Sequence, residues 1–480
     1  MLPFEHIIII DKESKVAVYK QIAFSITNAI QRGTLKAGTH LPGSRELAKS
    51  LGVHRKTVMA AYDELSAQDW IIITPRKHIS VAERIPLLKP RKWSSEPSAL
   101  PYQHDFHIGF RIIDNGVQKT NTTPNPEIII DDGCPDVRLS PIDALLRTYR
   151  SYTSFKYAIK DANTGTEQGT AKLREELAHY LSETRGLNIS ASNLLITHGA
   201  QMGIFIASRL LLEPGSNIIV GKPNYPSAGR AFEETGAQLI EVRTDEHGIN
   251  VDDIEAVCKK KKVTAVYVIP HHHYPTTVTL SAERRLKLLE LSIRFSFAII
   301  EDDYDYDYHY TTSPYLPLAS CKHDGSVIYI GSFSKMLDPS LRIGFMVAPE
   351  NFITQCVALR KIIDVGGDGY MQNALAALIK NGELKRHVKK AKKCYHQRRD
   401  FLDTLLREKL GKYISYTLPS GGMAIWVKLN PEFSVTQLMS HPKLKVTRID
   451  IEHNAFRFGF ASMNEKELEL AVAFLHAMLD

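Results

Sequence analysis

Beyond residue 128 the chain alternates short apolar runs (NLLIT, NIIVG, VTAVYVIP, SFAIIEDD, SVIYIGSF) with amphipathic helical patterns (GTAKLREELAHYLSE, SAERRLKLLELSIRF). Apolar strands alternating with helices imply βαβ units, so residues 128–480 are restricted to an α/β architecture with a mostly parallel sheet, flanking helices and a smaller C-terminal subdomain. Ligands of such sheets sit beyond the C-terminal ends of the strands. Residues with chemistry to offer are expected where the apolar runs stop.

Three segments meet that expectation. Lys335 in IYIGSFSKMLDPSLRIG follows an apolar run and is flanked by Ser332, Ser334 and Arg342. A lone loop lysine is ordinarily a solvated charge, but hydroxyls and an arginine beside it can hold a phosphate, and the amine can condense with an aldehyde cofactor. AIIEDDYDYDYHY ends a second run in Asp302, Asp303 and Tyr304. An ionised aspartate beside a pyridine nitrogen keeps that nitrogen protonated, and a tyrosine hydroxyl can serve a phenolic oxygen. LLITHGAQMGIF runs a strand through Gly199 into a helix beginning near Ala200 and Gln201, a junction whose N–H groups and dipole favour an anion.

The first fifth of the chain is different in charge. Residues 1–92 hold 15 Lys/Arg against 8 Asp/Glu, and the remainder 45 against 45, so the net +7 lies wholly at the front. Such asymmetry is the footprint of a nucleic-acid module joined to a neutral globular partner. From Val18 the residues Ile22, Ile26, Ala29 and Ile30 share one helical face that stops at Gly33; Ser44 is placed to cap a second helix carrying Leu47, Ala48 and Leu51, which Gly52 ends. A third helix follows at once, the spacing of a helix-turn-helix. Its first turn presents His54, Arg55, Lys56 and Thr57, cations that an anionic partner would explain, while Val58, Ala61, Tyr62 and Leu65 face inward. WIIITPRKHISVA then reads as a two-stranded wing tipped by Pro75, Arg76, Lys77 and His78. The expected domains are a winged helix over 14–82, a linker rich in Pro, Ser, Lys and Arg over 83–127 in which HDFHIGFRII suggests a short docked strand, and the α/β domain over 128–480.

Other classes are disfavoured. No apolar run approaches a membrane span, and MLPFEHIIIIDKES lacks a basic, cleavable leader, so a cytoplasmic location without a membrane partner is expected. Cys134, Cys258, Cys321, Cys356 and Cys394 are odd in number and form no CxxC pair, against a disulfide framework or a zinc site. His271, His272 and His273 are adjacent in an extended segment and point alternately, so no metal site is expected of them.

LPGSRELAKSLGVHRKTVMAAYDEL closely resembles the GntR-type winged helix. That resemblance implies a recognition helix in the major groove of double-stranded DNA, with Arg55 and Thr57 near bases or phosphates, Arg45 on the backbone, His54 and Lys56 alongside, and Lys77 at the wing. The tip departs from the family's glycine-rich pattern. The motifs around Lys335, Asp302 and Gly199, with PNYPSAGRAF and PHHHYPTTVTLS, resemble the fold-type I aminotransferases and, with the head, the MocR/GabR regulators. The resemblance implies pyridoxal 5′-phosphate (PLP) as an internal aldimine on Lys335, Asp302 on its pyridine nitrogen and Tyr304 on its phenolic oxygen. It also implies Tyr225 against the ring, Tyr274 at the cofactor, Ala200, Gln201, Ser332 and Arg342 around the phosphate, and Arg457 in NAFRFGFAS for a ligand carboxylate.

Three departures bear on the effector: Pro275, Thr276, Thr277 stand for the usual PTG turn, Thr170 for an aromatic, and Ser227 where a GABA-sensing member has a second carboxylate-binding arginine. The expected function is a homodimeric, PLP-dependent regulator that binds a DNA operator and senses a small amino compound or PLP. A catalytically active aminotransferase with a regulatory head is the alternative.

Overall fold

The computed structural model describes residues 4–11, 14, 16–74, 78–83, 108–111, 113, 126–154, 156–164, 167–311, 315–439 and 441–480. The chain divides into two units, Met1–Ile113 and Asp114–Asp480.

In the first unit the helices Val18–Gln31, Ser44–Leu51 and Arg55–Ala67 bury Ile22, Ile26, Leu47, Val58, Ala61 and Leu65 in one core, the faces their periodicity predicts. Gly52 ends the second helix at φ 65°, a left-handed conformation that glycine adopts without strain and that makes the tight turn. The expected cap by Ser44 is not made. Gly43 holds the N-cap position, and Ser44, already the first helical residue, has its Oγ accepting from Arg55 Nε at 3.3 Å. The wing strands Ile71–Thr74 and His78–Val81 pair antiparallel, and the two-residue strand His40–Leu41 adds a third member too short to be read from sequence. Pro75, Arg76 and Lys77 of the expected tip lie outside the described residues. So does most of the expected linker; its described residues belong to no helix or strand, and Ile108–Arg111 and Ile113 do not form the suggested docked strand.

The second unit is built on an eight-stranded sheet in the order Leu194–Thr197, Gly344–Val347, Val327–Ser332, Ala298–Asp303, Ala265–Val268, Asn217–Lys222, Gln238–Asp245, Gly248–Ile249. The five apolar runs supply five of these strands. Gly344–Val347 is antiparallel to both neighbours, Gly248–Ile249 folds back on Gln238–Asp245, and the pairings between are parallel. The strand period of two sorts the apolar side chains into cores on opposite faces: Ile218, Tyr267, Ile300 and Ile328 join one, and Ile219, Val266, Ile299 and Val327 the other. Burial on both faces is why these strands read as continuous apolar runs. Gln238–Asp245, near the sheet edge and only partly buried, carries the mixed sequence QLIEVRTD and is missed by that signal.

The smaller subdomain pairs Ile414–Tyr416, Ala424–Leu429, Ala455–Gly459 and Ile449–Asp450 antiparallel, with helices Glu383–Leu405 and Glu465–Leu479 contributing to the same core. It also takes in the start of the unit: Ile128–Ile130 runs parallel to Leu444–Val446, and Gly459 N donates to Asp131 O at 2.9 Å. The loop after Ile130 is thereby fixed beside the strand that bears Arg457. Among the described residues no helix is long and apolar enough to cross a membrane.

Candidate functional site

The parallel strands Ala298–Asp303 and Val327–Ser332 are neighbours, with Asp302 opposite Ile330, so the chain carries Asp302 and Lys335 to adjacent strand ends by one crossover. Facing them, helix Ala200–Leu211 starts after Gly199 at φ 84°. The backbones here approach closely: a Cβ on Gly344 would come within 2.5 Å of the Gly199 carbonyl carbon, and one on Gly199 within 2.7 Å of the Arg342 guanidinium. A cavity of about 190 Å³ opens between these elements, lined by Asp132, Ala200, Gln201, Tyr225, Ile269, Tyr274, Asp302, Tyr304, Ser332, Ser334, Lys335 and Arg342. Tyr225, Tyr274, Ala200, Gln201, Asp302, Tyr304, Ser332, Arg342 and Lys335, all expected at the cofactor, are thus gathered on one wall or another of a single space.

Several of the groups on those walls are short of partners. Asp302 accepts from Tyr267 Oη at 2.7 Å through Oδ2, while its Oδ1 has no partner in the protein. Burial raises its pKa to about 7 against the Tyr267 hydrogen bond, with Asp303 and Asp305 adding to the rise. Gln201 donates to Ser227 O at 2.9 Å but its Oε1 is unmatched, as is Ser334 Oγ. Buried polar atoms are rarely left so, and three around one cavity mark it as shaped for a polar ligand. Ser332 Oγ accepts from Ser334 N at 3.1 Å, and Arg342 donates to His198 O at 3.0 Å. Lys335 Nζ donates to Gly133 O at 2.6 Å. Tyr225 packs edge-on to Tyr274 with centroids 5.2 Å apart, and Tyr304 Oη donates to His272 O at 3.0 Å. Arginine, hydroxyls and a helix start suit an anion; a lone carboxylate oxygen suits a ring cation; a primary amine between them suits a carbonyl.

Arg457 is placed differently from the other site residues. Its side chain is 1% exposed, with Nε on Asp132 O at 3.0 Å and Nη1 on Pro275 O at 2.9 Å, and its guanidinium lies 4.7 Å from the centre of the Tyr274 ring. It touches two lining residues without being one. Two further residues escaped the sequence reading. Tyr267 is buried in mid-strand with no motif to mark it, and Asp132 comes from a distant loop. The three histidines take separate partners: His271 with Asp303 and Tyr315 O, His272 with Asp305, and His273 with Thr276. Among the described residues one trio could bring ligand atoms together for a metal, Asp131, Asp132 and Cys134. Asp131 there is already engaged by Gly133 N, Cys134 N and Ser462 Oγ.

In the first unit His54 is the N-cap of helix Arg55–Ala67, its Nδ1 accepting from Lys56 N at 3.2 Å. Arg45, His54, Arg55 and Lys56 are exposed and Thr57 half-buried, so these residues are gathered around the helix-turn-helix corner. Lys77 lies outside the described residues.

Residues 153–475 match the model of aminotransferase class I and II, and residues 18–81 that of the bacterial regulatory proteins of the gntR family. The chain belongs to the aminotransferase class I and II family. Its gntR-family head gives it the arrangement of the MocR/GabR-type regulators and a DNA-binding module. This aminotransferase-family chain is 27% identical to the uncharacterized HTH-type transcriptional regulator YdfD of Bacillus subtilis, over 98% of this chain and 97% of that one. It is 32% identical to aromatic-amino-acid aminotransferase 1 of Thermococcus litoralis, over 59% of this chain and 69% of the enzyme. A solved structure of Pyrococcus horikoshii kynurenine aminotransferase superposes with a TM-score of 0.68 at 28% identity, covering 74% of this chain and 91% of that one.

Proposed function

We propose that this protein is a cytoplasmic transcription regulator that binds duplex DNA through its head and holds PLP in its second unit, covalently linked to Lys335, where an amino compound or PLP itself is the signal. The observation that carries the reading is the cavity in which Lys335 meets three buried polar atoms without protein partners. When bound there, PLP supplies an electron-withdrawing ring and an aldehyde carbon that exchanges one amine for another. Asp302 Oδ1 holds the ring nitrogen, whose positive charge offsets the burial that otherwise raises the carboxyl pKa. The N–H groups at Ala200 and Gln201, the Ser332 hydroxyl and Arg342 hold the phosphate; Tyr225 packs on the ring, and Tyr304 and Tyr274 flank its phenolic edge. Arg457 stands behind Asp132 as the nearest fixed cation for a ligand carboxylate. In the head, Arg45, His54, Arg55, Lys56, Thr57 and Lys77 meet phosphates and base edges. Two copies form a dimer whose heads read two half-sites.

A catalytically active aminotransferase is the second reading, favoured by the full set of Lys335, Asp302 and Tyr304 in one cavity. An absorbance spectrum of the full chain with PLP, before and after addition of amines and amino acids, with keto acid release followed in parallel, separates the two. A visible band that shifts without turnover supports the regulator, and sustained turnover supports the enzyme. Absence of any band with PLP removes both.

A further inference from the structure

Asp132 is the one anionic lining residue besides Asp302, and its position is fixed from three sides. The loop that carries it is clamped by Asp131, whose Oδ1 accepts from Gly133 N at 2.7 Å and Cys134 N at 2.8 Å and whose Oδ2 accepts from Ser462 Oγ at 2.5 Å. Gly133, at φ 99°, leaves no slack, since a Cβ there would come within 3.3 Å of Ala424 and 3.4 Å of the Arg457 guanidinium. Arg457 Nε holds the Asp132 carbonyl at 3.0 Å. The Asp132 carboxylate is thus presented by a rigid support, accepting from Tyr274 Oη at 3.4 Å, with Lys335 Nζ on the neighbouring Gly133 carbonyl at 2.6 Å.

We propose that Asp132 sets the ligand class of this cavity: it places a fixed negative charge between the reacting amine and Arg457, so the cavity takes amines that carry no carboxylate next to the nitrogen in preference to α-amino acids. The inference rests on the reading of Lys335 as the PLP-bearing residue, and it adds the chemistry of what exchanges there.

A carboxylate on the carbon bearing the reacting nitrogen must enter the space between Lys335 and Arg457. There it meets a like charge in a partly desolvated site, where repulsion is screened far less than in water. Arg457 offers limited compensation, because Nε and Nη1 already bond the carbonyls of Asp132 and Pro275. The other nearby cation, Arg448, lies 5.6 Å from the centre of the Tyr274 ring. Burial opposes ionisation of Asp132, yet Lys335, Arg457, the Tyr274 hydroxyl and Arg448 together hold its pKa below the ordinary carboxylate value, so the negative charge is present near neutral pH. A plain amine carries no charge that conflicts with it, and its ammonium form is attracted on approach.

The test titrates the PLP-loaded full chain with n-butylamine and with L-norvaline, a straight-chain α-amino acid, following the shift of the bound-PLP absorbance, and repeats both titrations with Asp132→Asn and Asp132→Ala. The wild type is expected to bind the amine at least about tenfold more tightly than the amino acid, and both variants to lower or invert that ratio by about tenfold or more. A wild type that prefers the amino acid, or a ratio unchanged in both variants while each retains its PLP band, overturns the inference and leaves the PLP reading standing. A PLP band that shifts with neither compound overturns the inference alone when PLP remains reducible onto Lys335. Absence of PLP on Lys335 overturns both. The amine-to-acid ratio in the wild type needs no variant to fold.

Discussion

In the second unit the residues proposed to hold PLP line a closed-in cavity and several of their polar atoms have no protein partner, whereas in the head the residues proposed to meet DNA stand exposed around one helix corner. The contrast follows from the two ligands. A small cofactor is recognised by a few groups held rigid and dry, so removing one leaves a buried defect. A duplex is recognised first by its charge, so single contacts are partial and depend on salt. The two units should therefore fail separately and by different amounts.

The largest expected effect is that of Lys335→Ala, which should abolish the visible PLP band while leaving affinity for duplex DNA within about twofold; loss of both functions in a folded protein would break the comparison. Next is the pH dependence of Asp302. Its folded pKa of about 7 lies above the ordinary 3.8, so the group favours the PLP-free fold fully below about 4 and that contribution is lost as pH rises towards 7. Asp302→Asn should therefore gain stability relative to the wild type, without PLP, between pH 4 and 7.5, by up to about 4 kcal/mol. Urea unfolding across that range checks it, and a constant difference would show that Asp302 does not titrate there.

Arg55→Ala should weaken DNA binding by about 1–3 kcal/mol and leave the PLP band intact. If Arg55 is a phosphate contact, the dependence of affinity on log salt should flatten by about one; an unchanged slope with lost affinity points to a base contact instead. The smallest effect is expected at Ser44→Ala, below about 0.5 kcal/mol in thermal unfolding, because its hydroxyl caps no helix. A loss nearer 1 kcal/mol would restore the cap that the sequence suggested.

Much of the cavity was legible because its residues fall where apolar runs end, and the strand period makes those ends coincide. Lys335, Asp302 and Gly199 were found in this way. Asp132 was not, because it reaches the cavity only through the pairing of Ile128–Ile130 with Leu444–Val446, a contact between segments more than three hundred residues apart. Tyr267 was hidden because a tyrosine inside VTAVYVIP reads as core, and only the register of Ala265–Val268 against Ala298–Asp303 places it under Asp302. Arg457 was legible as a residue but not as a placement: its strand partners and the Asp132 and Pro275 carbonyls draw it off the cavity wall. In the head, the helical faces followed from period alone, while the cap at Ser44 turned on a single residue of helix start.

The central claim is that Lys335 is the amine that carries PLP. Incubating the full chain with PLP, reducing with borohydride and mapping the modified peptide by mass spectrometry tests it most directly. The account predicts a phosphopyridoxyl group on Lys335 and none on Lys335→Ala. Modification of a different lysine at equal yield in both proteins, or none at all, would contradict it.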